Sequence, residues 1–248
     1  MESDEEKKTL SIPWECSYSF RDLNNNPLPQ HILQGFQDAG LAHCAKFGMG
    51  FEDLKRDGYC WILIKMHFAI LAPIPLLGNR VVTWPFEKGP IRYNREFLIV
   101  SQDGKELIKA SSEWAIISAA TRRLVRGPYD YPENTLLNKC NFPKGFAKFQ
   151  GFDYQAQKPG YSLDVSYSNL DRNRHANNTD YASWALDSIP GMQDLKLKEM
   201  QLEYLAACHL GDHVDIYSHQ TAEGKYEIIG VKNNSVISFD VKAVLEHI

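Results

Sequence analysis

The 248-residue chain is 44% apolar and carries a formal net charge of −4, enough for a sizeable core in one large domain or two ordinary ones. A chain that is not basic overall points away from a nucleic-acid partner. Five scattered cysteines (Cys16, Cys44, Cys60, Cys140 and Cys208) form no C-x-x-C pair. They argue against a disulfide framework or a structural zinc site and for a reducing compartment.

The acidic start, MESDEEKKTL, has no apolar run and reads as neither a secretory signal nor an Arg-rich transit peptide, so a cytoplasmic location is expected. An opening strand is expected to end in a D-x-N motif, Asp22 and Asn24, ahead of a helix over residues 30–47. GMGFEDLKRDG (residues 48–58) follows as a Gly-rich charged loop or helix extension. The longest apolar run, residues 59–77, holds Lys65 and His67 near its centre and Pro73 and Pro75 near its end. A membrane span would bury that lysine at considerable cost, so the run reads as a buried strand with a proline-bounded turn. Apolar runs predict strands over 61–71, 80–86, 97–100 and 107–118, with Asp103-Gly104 turning between the last two.

Residues 128–160, rich in Pro, Gly and Asn and without period, read as a linker between a unit at 1–127 and a second at 161–248. The second unit has the same order: a strand into Asp171 and Asn173, a helix over 179–188, and strands over 200–207, 214–219, 226–231 and 236–245. Gly224 and Asn233-Asn234 supply its turns. One helix with several antiparallel strands is an α+β unit, the helix covering the sheet's apolar face.

The two units are copies. SYSFRDLNNN, from Ser17, lies over SYSNLDRNRH, from Ser166, with five of ten columns identical. The register brings Asp22 over Asp171, Asn24 over Asn173, and Asn26 over His175. Farther on, LLGNRVVTW (from Leu76) lies over HLGDHVDIY (from His209), with 16 more residues before it in the first copy. If the cluster were only a helix cap, Asn would serve in either half, so the shared D-x-N reads as partly structural and His175 as added chemistry.

These segments resemble the acyl-acyl-carrier-protein thioesterase family. In the first half GFQDAGLAHCAKFG, NREFLI, KASSEWAII and TRRLVR look like family segments, and in the second LDRNRHANNTDYASWALDSIP and LEYLAACHLGD. The resemblance implies a tandem double hotdog, two antiparallel sheets each wrapped around a central helix. It implies thioester hydrolysis in fatty acid biosynthesis, releasing free fatty acid and carrier-protein thiol, with no cofactor or metal. The partner would be acyl carrier protein with its phosphopantetheine-linked chain, and a homodimer is one expected assembly.

Hydrolysis of a thioester needs an activated water, an oxyanion donor and a proton for the thiol. By resemblance, Asp171 is base or water-orienting acid, Asn173 positioner and His175 proton carrier; the split between Asp171 and His175 stays open. On an extended segment the three would share one face, leaving Arg172 and Arg174 on the other to steer an acidic carrier. Arg122, Arg123 and Arg126 form a second basic cluster. Free backbone N–H groups near Thr179 are expected oxyanion donors. Where the family usually has Glu, this chain has Ala207; Cys208 follows it, and a Cys208–His175 nucleophile pair is an alternative. Phe36, Leu41, Phe47, Met49, Met66 and Phe68 are candidates for an acyl slot.

Three rival readings remain: an acyl-CoA thioesterase with the same chemistry, a hotdog hydratase or dehydratase, and a non-catalytic acyl-thioester-binding hotdog protein. Arg174 directly after Asn173 fits the D-x-N-P-x-H signature of the dehydratases poorly. No G-x-S-x-G elbow is present, which excludes an α/β-hydrolase.

Overall fold

A computed structural model describes residues 8–248, which divide into two compact units. The first comprises the described residues up to Ser19 and Ile32–Gly145; the second comprises Phe20–His31 and Phe146–Ile248.

The first unit's sheet is antiparallel, in the order β1 (Leu10–Trp14), β3 (Asn79–Lys88), β4 (Arg92–Val100), β5 (Glu106–Ser118), β2 (Tyr59–Ile70). Helix α1 (Pro29–Lys46) buries Ile32, Leu33, Phe36, Ala39, Gly40 and Cys44, each three or four residues from another of the set, and so forms one apolar stripe. Phe36 meets Phe97 of β4 with ring centroids 5.0 Å apart. Gly35 sits where a Cβ would lie 2.6 Å from the Trp14 indole, so only glycine lets β1 close against the helix there. The 16-residue excess of the first copy contains a short helix, α2 (Phe51–Arg56), which buries Leu54.

Strands are present at all four places expected after the helix, but β1 stops at Trp14, well short of Asp22 and Asn24, and in the second unit the strand expected over 200–207 runs Leu195–Tyr204 and ends before Ala207. Pro85 sits inside β3, yet its pairing with β1 stops at Thr83 and a bulge follows Pro85, so no ladder hydrogen bond is lost.

The second unit repeats the plan: β7 (Leu195–Tyr204), β10 (Val236–His247), β9 (Lys225–Lys232), β8 (His213–Ala222), β6 (Tyr161–Asp164). Helix α3 (Asp180–Asp187) buries Tyr181, Ala182, Trp184, Ala185 and Leu186, and Tyr181 meets Phe239 of β10 at 5.0 Å. A Cβ at Gly230 would stand 1.9 Å from the Phe239 ring, so that ring's place requires the glycine. Asn233 and Asn234 turn β9 into β10 with φ of 50° and 59°, the left-handed pair that a tight hairpin demands.

The irregular stretch at 128–160 is ordered by buried polar side chains projecting from the strands. In the first unit the Asn141 amide donates to Phe97 O and Ala110 O, both at 2.9 Å, and its backbone N–H to Glu96 Oε2 at 2.8 Å. In the second, Gln201 exchanges two 2.8 Å bonds with Ala147, and Glu227 accepts from the N–H groups of Gln150 and Gly151, both at 3.0 Å. Backbone groups without a ladder need such partners when they approach a sheet.

Candidate active site

Asp171, Asn173 and His175 do not lie on an extended strand with one shared face. Strand β6 stops at Asp164, a 3-10 turn spans Tyr167–Asn169, and Asp171–His175 closes on itself as a tight loop. The Asp171 N–H donates to His175 O at 2.8 Å, and Arg174 N–H returns to Asp171 O at 3.0 Å. The Asp171 carboxylate accepts from Asn173 N at 2.7 Å, His175 N at 3.2 Å and Asn173 Nδ2 at 3.3 Å. It organises the loop, turning the side chains that follow outward. Arg172 and Arg174 are exposed, but they do not occupy a face opposite Asp171: all three line one cleft of about 720 Å³, together with His209 and Leu210.

The first copy builds the same main-chain loop, but the side-chain amide that reaches the carboxylate comes from Asn26, the column of His175, and not from Asn24. Asp22 N–H donates to Asn26 O at 2.9 Å and Asn25 N–H to Asp22 O at 3.0 Å. The Asp22 carboxylate accepts from Asn26 N at 2.8 Å, Asn24 N at 2.9 Å and Asn26 Nδ2 at 3.3 Å. Asn25 and Arg174 hold matching left-handed φ of 63° and 64°. Two differences stand out. The Asn24 amide is committed to Gln193 O at 2.8 Å, whereas Asn173 is exposed. And the left-handed position that asparagine tolerates in the first loop holds Arg174 in the second, a side chain that pays about 1–2 kcal/mol there.

The helix-start donors expected near Thr179 are already taken. Asn177 Oδ1 accepts from Thr179 N at 3.1 Å and Thr179 Oγ1 at 3.0 Å, and Asn177 O accepts from Asp180 N at 2.9 Å. Burial raises the Asp180 carboxyl, with the Asn169 amide at 3.2 Å opposing it.

Cys208 is fully buried, and burial pushes its thiol up despite hydrogen bonds from Tyr181 and Ser238. An activated thiolate needs the opposite environment. Its backbone is a strut instead: Cys208 O accepts from Ala176 N at 2.8 Å, and Cys208 N donates to the Tyr181 hydroxyl at 3.0 Å.

In the first unit, Gly40, Leu41 and Cys44 of α1 face Trp61, Tyr93, Trp114 and Tyr131 across a slot of about 20 Å³, room for about one water. Phe36, Met66 and Phe68 are not part of it; they have 0% exposure and fill the core. Met49 is likewise buried, and Phe47 is half-buried against His43 and Tyr131. One wall is the buried Arg95, which donates to His43 Nδ1 at 3.0 Å and to Cys44 Sγ and Thr83 Oγ1 at 3.3 Å. Burial first, and then the Arg95 guanidinium, push His43 down to about 3, so it stays a neutral acceptor. Arg122, Arg123 and Arg126 are exposed.

Sequence reasoning passed over His43, Arg95 and Asn177, and left His209 and Asp212 unassigned. The Asn-Asn-Thr run before α3 was a readable capping signal. Nothing in the sequence marks Arg95 as buried. Among the described residues, no helix is long and apolar enough to cross a membrane.

Two α+β units, each a five-stranded antiparallel sheet carrying one helix, with matching polar loops ahead of the helices, define a tandem hotdog protein. The descriptions Acyl-ACP thioesterase N-terminal domain and C-terminal domain match residues 7–134 and 154–244, and the chain belongs to the acyl-ACP thioesterase family. It is 30% identical over 196 residues to the chloroplastic acyl-acyl-carrier-protein hydrolase FATB3 of Cuphea viscosissima, covering 71% of this chain and 46% of that one. It is 26% identical over 235 residues to the chloroplastic oleoyl-acyl carrier protein thioesterase 1 of Arabidopsis thaliana, covering 87% and 63%. The chain thus spans from about half to under two-thirds of these relatives' length. A crystal structure of an acyl-ACP thioesterase from Bacteroides thetaiotaomicron shares the fold, with a TM-score of 0.87 at 21% identity over 99% of this chain and 100% of the other.

Proposed function

We propose that the chain hydrolyses fatty acyl thioesters of acyl carrier protein, releasing free fatty acid during fatty acid synthesis, with His175 carrying the proton and Asn173 holding the thioester carbonyl or the water. The observation that carries this is the twin loop: one hydrogen-bonded scaffold is built twice, and only the second copy adds an imidazole and leaves its Asn173 amide exposed. Asp171 poses both through the loop. Arg172 and the strained Arg174 supply positive charge at the cleft for the carrier's phosphate and acidic surface. Leu41 lines an apolar slot within the first unit, which must widen before it could take an acyl chain. Five cysteines, none in a disulfide among the described residues, suit a reducing compartment such as the cytoplasm.

The test is thiol release from a chain-length panel of acyl-carrier-protein thioesters, with acyl-CoA thioesters in parallel. Turnover preferring the carrier protein is expected, lost in His175→Ala and kept in Cys208→Ser. Full rate in His175→Ala overturns the assignment; loss in Cys208→Ser transfers the chemistry to the thiol. A preference for CoA makes the chain an acyl-CoA thioesterase.

One observation favours a second reading, an acyl-thioester-binding protein without turnover: the Thr179 and Asp180 N–H groups are occupied, and Ala207 offers no carboxylate. Tight binding of acyl carrier protein without thiol release supports that reading instead.

A further inference from the structure

His175 has a partner on the segment after β7. It stands opposite His209 in an isolated antiparallel bridge, next to the 2.8 Å bond from Ala176 N to Cys208 O. The two imidazoles meet edge to face, with ring centroids 4.8 Å apart and planes at 85°. His209 is in turn held by Asp212, whose Oδ2 accepts from the His209 backbone N–H at 2.8 Å and lies 3.7 Å from Nδ1. Asp212 is fixed by the Asn233 amide at 2.8 Å and Lys232 Nζ at 3.7 Å. The ring is half-exposed, lining the cleft with Asp171.

The first copy supplies an internal control. In the repeat, Leu76 stands over His209 and Asn79 over Asp212, with Gly78 and Gly211 between them at matching φ of 80° and 83°. The copy that lacks the imidazole of His175 therefore also lacks the second ring and the carboxylate behind it. Three side chains from two distant segments differ together, and so does the backbone contact between those segments: Pro27, which has no N–H, stands in the column where Ala176 donates to Cys208 O.

We propose that His209, anchored by Asp212, is a positioning residue: its ring clamps the His175 imidazole edge to face and so holds the rotamer that hydrolysis uses. His175 is part-buried at the end of its loop, and a ring packed against it narrows the side-chain torsions it can adopt before substrate arrives. The clamp rests on the hydrolase reading for its effect on rate, but not for its effect on the ring.

The test compares the full chain with His209→Ala and His209→Phe. On the best carrier-protein thioester of the panel, His209→Ala lowers kcat by ~10–100-fold with KM within about threefold, since Arg172 and Arg174, the cationic groups of the cleft, are kept. His209→Phe, which restores a flat ring without proton chemistry, recovers kcat to within about threefold. Ala at full rate, or Phe as slow as Ala, overturns the clamp. With 13C- and 15N-labelled histidine, the His175 ring signals should show a single rotamer in wild type and His209→Phe, and averaging in His209→Ala; unchanged signals in His209→Ala also overturn it. This second measurement works even where the wild type releases no thiol, so failure of the clamp and failure of the hydrolase reading are told apart.

Discussion

The loops at residues 22–26 and 171–175 share every main-chain hydrogen bond described for them and differ in what their side chains are free to do. In the first, Asn24 and Asn26 point their amides into structural bonds, to Gln193 and Asp22. In the second, an imidazole replaces the terminal amide and Asn173 is exposed. The helices that follow diverge in the opposite sense: α1 has 18 residues and α3 has 8. Gly40, Leu41 and Cys44, which line the slot, lie on the turns of α1 beyond the point where α3 ends in the repeat register. One copy lengthened its helix into a wall for an apolar slot; the other kept it short and gained ionisable side chains at its start.

The largest effect expected from breaking this comparison is on rate. Exchanging the columns, Asn26→His in a His175→Ala background, should leave turnover down by ~10²–10⁴, as in His175→Ala alone, because the first loop lacks counterparts of His209 and Asp212. Recovered turnover in a thiol-release assay would show that the loop and its histidine suffice, and would dissolve the distinction between the copies.

The next effect is on stability, and it should be symmetric. Asp22→Ala and Asp171→Ala each strand donors that the carboxylate satisfies, for a cost of about 1–3 kcal/mol apiece in urea unfolding. Only Asp171→Ala should also reduce turnover. A large stability difference between the two would mean that the loops are not equivalent scaffolds.

The last effect, of comparable size but seen only as a change with pH, concerns the linker contacts. Burial pushes the Glu96 carboxyl up to about 7, against the hydrogen bonds from Ser111 and Asn141 that favour its anion. A raised acid contributes stability that is complete below its unfolded value, near 4.5, and is lost as the pH rises through about 7. Glu96→Gln should remove on the order of 1–3 kcal/mol of that decline, measured as unfolding free energy between pH 5 and about 8. An unchanged pH slope in the variant would place the titration elsewhere.

Much of this was legible in the chain itself. Apolar periodicity located the strands, Asn233-Asn234 marked its hairpin, and the internal repeat singled out His175, because each depends on residues near one another in sequence or on identity between copies. The shape of the D-x-N segment was not legible. Alternating polar residues suggest a strand, but a carboxylate that can reach its own N–H groups two and four residues on competes with the ladder and wins. The occupancy of the α3 start was hidden for a similar reason: Asn177 is a capping residue by type, and a cap consumes the donors that would otherwise serve a substrate.

From its sequence alone the protein was determined as two related α+β units with one complete polar cluster, since duplication and periodicity are properties of residue order. Tertiary structure alone decided which side chains meet: that Phe36 and Met66 are core, that Arg95 is buried beside the slot, that Cys208 is a strut, and that His209 faces His175. Burial and ring contact are set by segments far apart in the chain, and no local pattern of residues encodes that distance.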